Sequence, residues 1–519
     1  MAGSEFLNDA FHPQPGQSGI APFGWHNTIM KRYLQLAAEF ESLMLNGTLE
    51  PGVRLPSVRR ASSSYRVSPS TVFHAYYTLE RRGLIVARPR SGYFVASGPA
   101  STKALTLVSK HSVEDAGGDS LTIRFMRAQR RCAHPWLGSS EPCAKLFPFS
   151  RIARALAAAI RRMASSRNAL SAGEVEADLR RQIALRYVVT GVAVPIEEVV
   201  VTSGALDATM LCLQVLTRPG DTIAIERPAF HAVRDVVKRL RLKAVEIPVD
   251  PHHGLDLGVL EEALRQRPVR ACWFMTTLHQ PTGATLSDER KQALVRLLAI
   301  YGVPLIEDDV FRELHFGLTP AYPAKRFDAK GLVLHCGSFS TSLAPGLHLG
   351  WVAAGRYARR IEHARWLTMD PASVPVQCAI AGLLEHGDYD RLLRKLRREL
   401  ASLQTRMVAA VVKYFPKGTL VVRPPGGFFL WVQLPEGVGA VQLFEMAEAH
   451  EIAIAPGAIF SCDSEFRRHI RINYGRPWTR DVEKEIHTLG TLARRAVAEQ
   501  RAARHAGREG AEAMAGEAP

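Results

Sequence analysis

The sequence predicts an α/β protein in two unequal parts: a small helical module closed by a basic hairpin, and a large unit built on a mostly parallel sheet. Three observations predict it. At roughly 100–200 residues per domain, 519 residues leave room for about three structural units. Between Arg54 and Arg90 stand eight arginines (54, 59, 60, 66, 81, 82, 88 and 90) against one acid, Glu80. Beyond Pro148, short β-branched runs alternate with helical stretches, the pattern of a sheet covered on both faces.

Composition narrows the class further. With 47% hydrophobic and 22% charged residues, the chain is neither disordered throughout nor a collagen-like repeat or coiled-coil rod. No run approaches the roughly 18 apolar residues of a membrane span, and residues 1–28 lack the basic start and greasy stretch of a secretion signal. A cytoplasmic location without membrane contact is therefore expected. The seven cysteines (132, 143, 212, 272, 336, 378 and 462) are scattered, without a CxxC pair. They read as buried reduced thiols, and neither a disulfide framework nor a metal site is expected.

After residues 1–26, expected to be disordered, Met30 to Leu45 reads as an amphipathic helix, and Gly47 and Pro51-Gly52 break it before a second helix near Ser57 to Ser64. Ser68 is a good cap for a third helix, Pro69 suits its first position, and Val72, Ala75, Tyr76 and Leu79 form its buried stripe until Gly83. Ser70, Thr71, His74 and Thr78 then face outward. Leu84 to Ala87 and Tyr93 to Val95 read as strands joined through Arg88-Pro-Arg-Ser-Gly92. Three helices and a basic hairpin make a winged helix-turn-helix over 27–96, and the net charge of +16 suits a polyanionic partner.

The stretch LPSVRRASSSYRVSPSTVFHAYYTLERRGLIVARPRSGYFV is similar, almost residue for residue, to the DNA-binding domain of the GntR superfamily. The resemblance implies double-stranded DNA as partner. It places Arg54 and Arg59, with Ser57 beside them, on the phosphate backbone, Ser68, Ser70, Thr71 and His74 in the major groove, and Arg88, Arg90, Ser91 and Gly92 in the wing.

Residues 97–143, rich in Ser, Gly, Lys and Thr, read as an interdomain linker, with Arg124, Arg127, Arg130 and Arg131 spaced to share one helix. The large unit is expected over 144–498, and the Ala-, Gly-, Glu- and Arg-rich end, 499–519, as a disordered tail. Strands are expected at 197–202, 222–225, 244–248, 271–276, 304–306, 332–335 and 349–353. Ligands of such sheets sit at strand C-terminal ends. The first strand runs into Thr202-Ser-Gly-Ala205 and a helix whose free N–H groups would face an anion.

Four further segments, ERPAFHAV, TTLHQPTGATLSDER, LIEDDVFRELHFG and CGSFSTSLAPGLHLGW, look like the site of fold-type-I aminotransferases, and with IAPGAIFS and HIRINYGRPW the resemblance covers about 147–495. Joined to the winged helix, it identifies the chain as similar to the MocR branch of GntR regulators. That implies a seven-stranded sheet with a smaller C-terminal α/β subdomain, a homodimer, and a site for pyridoxal 5'-phosphate (PLP) or another small effector. The resemblance places Ser203, Gly204, Ala205, Phe230, Gln280, Asp308, Val310, Ser338, Thr341 and His348 around the cofactor, and Arg471 on a ligand carboxylate.

The chemistry of that site is nevertheless altered. PLP catalysis needs a lysine amine for the Schiff base and a carboxylate opposite the pyridine nitrogen. Asp308 falls where the acid belongs. Thr341 stands where the lysine belongs, in Ser338-Phe-Ser-Thr341, and threonine forms no Schiff base. His348 replaces an arginine, Val310 a tyrosine and Gln280 an asparagine. The expectation is a DNA-binding transcriptional regulator whose aminotransferase-like domain dimerises and is open to a small ligand, PLP or an amino or keto acid, without covalent attachment. The alternative is an active PLP-dependent aminotransferase carrying a DNA-binding module.

Overall fold

The structure, a computed structural model, describes residues 32–45, 47–88, 91–96, 121–165, 171–317, 321–343, 345–368, 372–461 and 463–515. The chain divides into two compact units, Met1–Gly118 and Asp119–Pro519.

In the first unit α1 (Arg32–Leu45), α2 (Val58–Tyr65) and α3 (Pro69–Arg81) precede the hairpin of β1 (Ile85–Arg88) and β2 (Gly92–Val95). The expected signals act as read. The Ser57 hydroxyl accepts from the Arg60 amide at the start of α2, and the Ser68 hydroxyl accepts from Thr71 at the start of α3, with Pro69 in the first turn. Phe40, Ala61, Val72, Ala75, Tyr76 and Leu79 close a core at which α1 and α3 meet. The Tyr76 hydroxyl, buried with its ring, donates to Pro56 O at 2.9 Å. Residues 1–26 and the first part of the expected linker, 97–120, lie outside the described residues.

The second unit begins earlier than the linker reading allows. Helix α4 (Leu121–Arg131) carries the four arginines, yet Phe125 and Ala128 on its other face, then Cys132, Leu137 and Phe147, enter the main core. Helices α5 (Phe149–Ser165) and α6 (Ala172–Val189) lead into β3 (Val199–Thr202), α7 (Ala205–Leu216), β4 (Thr222–Arg227), α8 (His231–Arg239), β5 (Lys243–Asp250), β6 (Gly254–Leu255), α9 (Leu257–Gln266), β7 (Val269–Phe274), α10 (Asp288–Tyr301), β8 (Leu305–Asp308), β9 (Val333–Ser338) and β10 (Gly350–Ala353). All seven expected strands form, and the short β6 adds an antiparallel edge. The order is β3-β10-β9-β8-β7-β4-β5-β6. The pairs β5/β4, β4/β7, β7/β8 and β8/β9 are parallel, and β10 runs antiparallel between β9 and β3. Consequently β3, β4, β7, β8 and β9 all end at one edge of the sheet.

Helices α11 (Ala358–Thr368), α12 (Val374–Glu385) and α13 (Asp388–Tyr414) connect to a smaller four-stranded sheet of β11 (Leu420–Val422), β12 (Phe429–Gln433), β13 (Ala455–Pro456) and β14 (His469–Asn473), with α14 (Ala440–Glu448) inserted. The last helix, α15 (Arg480–Ala515), continues helical through most of the stretch expected to be a disordered tail, because its alanines, glutamates and arginines are strong helix formers. Six of the cysteines are buried free thiols, and Cys462 lies outside the described residues. Among the described residues no helix is long and apolar enough to cross a membrane, and no group of His, Cys, Asp or Glu could hold a metal ion.

Candidate DNA-contacting face and candidate effector pocket

In the first unit Arg54, Ser57, Arg59, Ser68, Ser70, His74, Arg88, Ser91 and Gly92 are exposed, and Thr71 is half-buried. Arg90 lies outside the described residues. The hydroxyls of Ser70 and Thr71 each sit 2.8 Å from that of Ser68, so the start of α3 presents a cluster of hydroxyl groups. Thr78, read as outward-facing, is half-buried and donates back to His74 O at 2.7 Å. In the hairpin the Arg88 guanidinium lies 4.5 Å above the Phe94 ring, and Arg54 bridges to Phe94 from the adjoining segment. A Cβ on Gly92, whose φ is +98°, would meet the Arg54 side chain at 3.5 Å. Two residues went unread in the sequence: Phe73 and Tyr77, one turn apart on α3, are 53% and 52% exposed. Aromatic spacing of that kind signals a core face, and only the packing shows that it points outward.

In the second unit the strand ends gather the predicted pocket. Ser203 and Gly204 follow β3, Phe230 follows β4, Gln280 follows β7, Asp308 ends β8 and Ser338 ends β9. Each of these, with Ala205, Val310, Thr341 and His348, lines one cavity of about 390 Å³. Gly204 caps α7 at φ +143° without a side-chain hydrogen bond to the first turn, which lines the space, and Gly350 packs so closely that a Cβ there would meet Gly204 at 2.6 Å.

The cavity holds polar atoms without partners. Asp308 Oδ1 and Gln280 Nε2 are buried and make no hydrogen bond, and Gln280 is only 4% exposed. Burial pushes the Asp308 carboxyl up to about 7. The Trp273 indole and the Val310 amide hold it down, while Glu226 and Asp309 push it further up. On the cavity wall the Thr341 hydroxyl donates to Val310 O at 2.6 Å. The nearby buried lysines are engaged elsewhere: Lys291 Nζ on Thr277 and Tyr322, Lys325 Nζ on Val333 and Glu198. Phe230 presents a ring to the cavity and its edge to His231.

Two acids that the sequence reading passed over also line the space. Asp207 is in the first turn of α7, and Glu141 lies on the segment after α4. A first-turn acid is ordinarily a helix-dipole partner, so nothing in the sequence distinguishes Asp207 until the cavity is seen.

Arg471 departs from its expected position. It sits in β14, fully buried, and is not among the residues lining the cavity. Its guanidinium lies 4.4 Å from the Phe429 centroid and 5.2 Å from Phe460, with Nη2 donating to Gly138 O at 2.5 Å and Nε and Nη1 unpartnered. Burial alone pulls it down to about 9.

Beneath the floor, the Tyr187 hydroxyl lies 2.6 Å from His335 Nδ1 and accepts from the Trp351 indole at 2.9 Å, and His335 Nε2 lies 2.8 Å from Asp309 Oδ2. Arg312 Nε is 2.9 Å from the same oxygen.

Comparison with known proteins agrees with both halves. Residues 136–483 match the family of class I and II aminotransferases, and residues 32–95 match the gntR family of bacterial regulatory proteins. The uncharacterized HTH-type transcriptional regulator YdcR of Escherichia coli is 38% identical over 467 residues, 89% of this chain and 99% of its own length. YjiR of the same organism, described in the same words, is 32% identical over 90% of this chain and 100% of its own. Among solved structures, a multiple substrate aminotransferase from Thermococcus profundus is 25% identical, with a TM-score of 0.65 over 73% of this chain and 96% of that one. A GntR-type DNA-binding region joined to a class I and II aminotransferase domain, in the same order and over nearly the whole length of these regulators, places the chain in the MocR-like family of DNA-binding transcriptional regulators.

Proposed function

We propose that this regulator works as a cytoplasmic homodimer whose two winged helices grip the half-sites of one operator, and whose aminotransferase-like domain is a non-covalent effector pocket in place of a catalyst. The observation that carries this reading is the pairing of Thr341 with Asp308. The position that would supply an amine holds a hydroxyl already spent on Val310 O, while the carboxylate that would face a ring nitrogen keeps a free, buried oxygen.

PLP is the group that the fold implies, and the residues fit it only in part. Asp308, Gln280 and the Phe230 ring suit a protonated nitrogen heterocycle with a polar substituent. The covalent bond does not fit, since no lysine lines the cavity among the described residues. The chain can bind and orient a planar ligand, but we derive no transamination step. Arg471, with two unpartnered N–H groups, would accept a ligand carboxylate only if Phe429 or Phe460 moved aside. On DNA, Arg54, Arg59 and Arg88 supply charge to the backbone while the hydroxyl cluster of α3 and His74 read base edges.

Selection of duplexes from a random pool by the full chain, followed by footprinting, tests the reading. A two-fold symmetric site with half-sites one helical turn or a multiple apart is expected, with protection altered by a ligand whose binding Asp308→Asn weakens. A protein that selects no duplex, or that turns over amino and keto acids with added PLP, would overturn it.

A further inference from the structure

Building on that reading of the cavity as an effector pocket, its charge identifies the kind of effector. Three carboxylates line the space, Glu141, Asp207 and Asp308, and His348 is the one basic side chain among the described lining residues. No arginine or lysine is there to neutralise a dianion. The first turn of α7 lines the space with no side-chain cap on its amides, but Asp207 hangs its carboxylate from the same turn. A phosphate seated at the start of α7 would therefore meet a like charge, the half-buried Asp207 carboxylate, within one helical turn. His348 is exposed and makes no ion pair with the acids around it among the described residues, so it is a weak counter-charge for a dianion.

The other end of the cavity is explicit about what it lacks. Gln280 Nε2 is a donor in need of an acceptor, and Asp308 Oδ1 an acceptor in need of a donor. Ser203, Ser338 and Ser340 add neutral hydroxyls along the wall. A cavity of about 390 Å³ is within the roughly 300–1,000 Å³ usual for small-molecule sites.

We infer that the cavity selects a planar nitrogen heterocycle whose arm is an amine or a hydroxyl, and rejects the corresponding phosphate ester. The ring nitrogen faces Asp308, a ring substituent accepts from Gln280, and the uncharged or cationic arm lies toward Asp207 and Glu141.

Pyridoxamine and pyridoxamine 5'-phosphate make the matched pair of probes, since they differ only in the arm and neither carries an aldehyde that surface lysines would capture. Calorimetric titration of the full chain is expected to show pyridoxamine binding at least about tenfold more tightly, a difference of about 1.4 kcal/mol. Asp207→Asn should narrow or reverse that preference, Glu141→Gln should narrow it less, and Asp308→Asn should weaken both ligands. If the phosphate ester binds the wild-type protein as tightly as pyridoxamine or more so, the charge inference is wrong while the effector-pocket reading stands. If neither probe binds, both fall.

Discussion

Replacing Arg471 by methionine should stabilise the ligand-free protein, although the residue is fully buried in the middle of β14. The guanidinium is pulled well below its ordinary value, to about 9, by burial alone, with no carboxylate contributing. At about 1.4 kcal/mol per tenfold change in proton affinity, holding that charge costs roughly 5 kcal/mol. Against this stand one charged hydrogen bond to Gly138 O, worth about 1.5–3 kcal/mol, and the stacking on Phe429 and Phe460, worth about 0.5–2 kcal/mol at each ring. Methionine keeps the apolar stem between the same rings and gains about 1–2 kcal/mol of burial. At the midpoints of these ranges the balance is a gain of about 2 kcal/mol, or about 2–5 °C in melting temperature for a unit of this size. The sign follows from the direction of the shift. The unfolded chain holds the proton more tightly than the folded one, so the penalty is complete below about pH 9 and is relieved only as the pH rises above it. Thermal unfolding at pH 7.5 is the assay. A lower melting temperature for Arg471→Met would mean that the guanidinium is satisfied in the free protein and that its unpartnered N–H groups are not awaiting an acceptor.

Arg59→Ala should weaken binding to every duplex and make the slope of log affinity against log salt less negative by about 0.9, read by titration between 50 and 200 mM salt; an unchanged slope removes Arg59 from the backbone contacts. Incubation with PLP followed by borohydride should leave the peptide carrying Thr341 at its unmodified mass, and an adduct there by mass spectrometry would contradict the assignment. Acid should destabilise the protein between pH 6.5 and 4, because His231 is lowered to about 4 by burial and then by Arg471, so the unfolded chain takes up the proton first. His231→Phe, which keeps the ring among Phe125, Phe230 and Phe460, should flatten that dependence by up to about 3 kcal/mol in denaturant titrations at the two pH values.

Much of the architecture could be read from local chemistry. A serine cap, a proline and a four-residue apolar stripe are all that α3 needs, and those signals lie within one short segment. The strands follow from β-branched runs that stay buried on both faces of a parallel sheet. The pocket was readable as a set of residues because they lie at strand ends or in the turns that adjoin them, where sequence motif and topology coincide. The misreadings lie where long-range packing decides. In α4, Phe125 and Ala128 are few among arginines, and they count as core only through partners distant in the chain, His231 of α8 and the segment 457–459 more than three hundred residues later. Arg471 could be recognised in sequence, but its isolation could not, since a missing partner is a property of the folded neighbourhood. Phe73 and Tyr77 err in the opposite sense, with a spacing that suggests burial and a surface that denies it.

The proton-linked chain of Tyr187, His335, Asp309 and Arg312 ties together the two strands that carry Asp308 and Ser338. Pulling β8 and β9 apart would strand several of these groups without water, so the cavity has a stiff base. The Ser140–Glu141 strap and the turn bearing Thr341 and His348, which also line the cavity, lie outside that network.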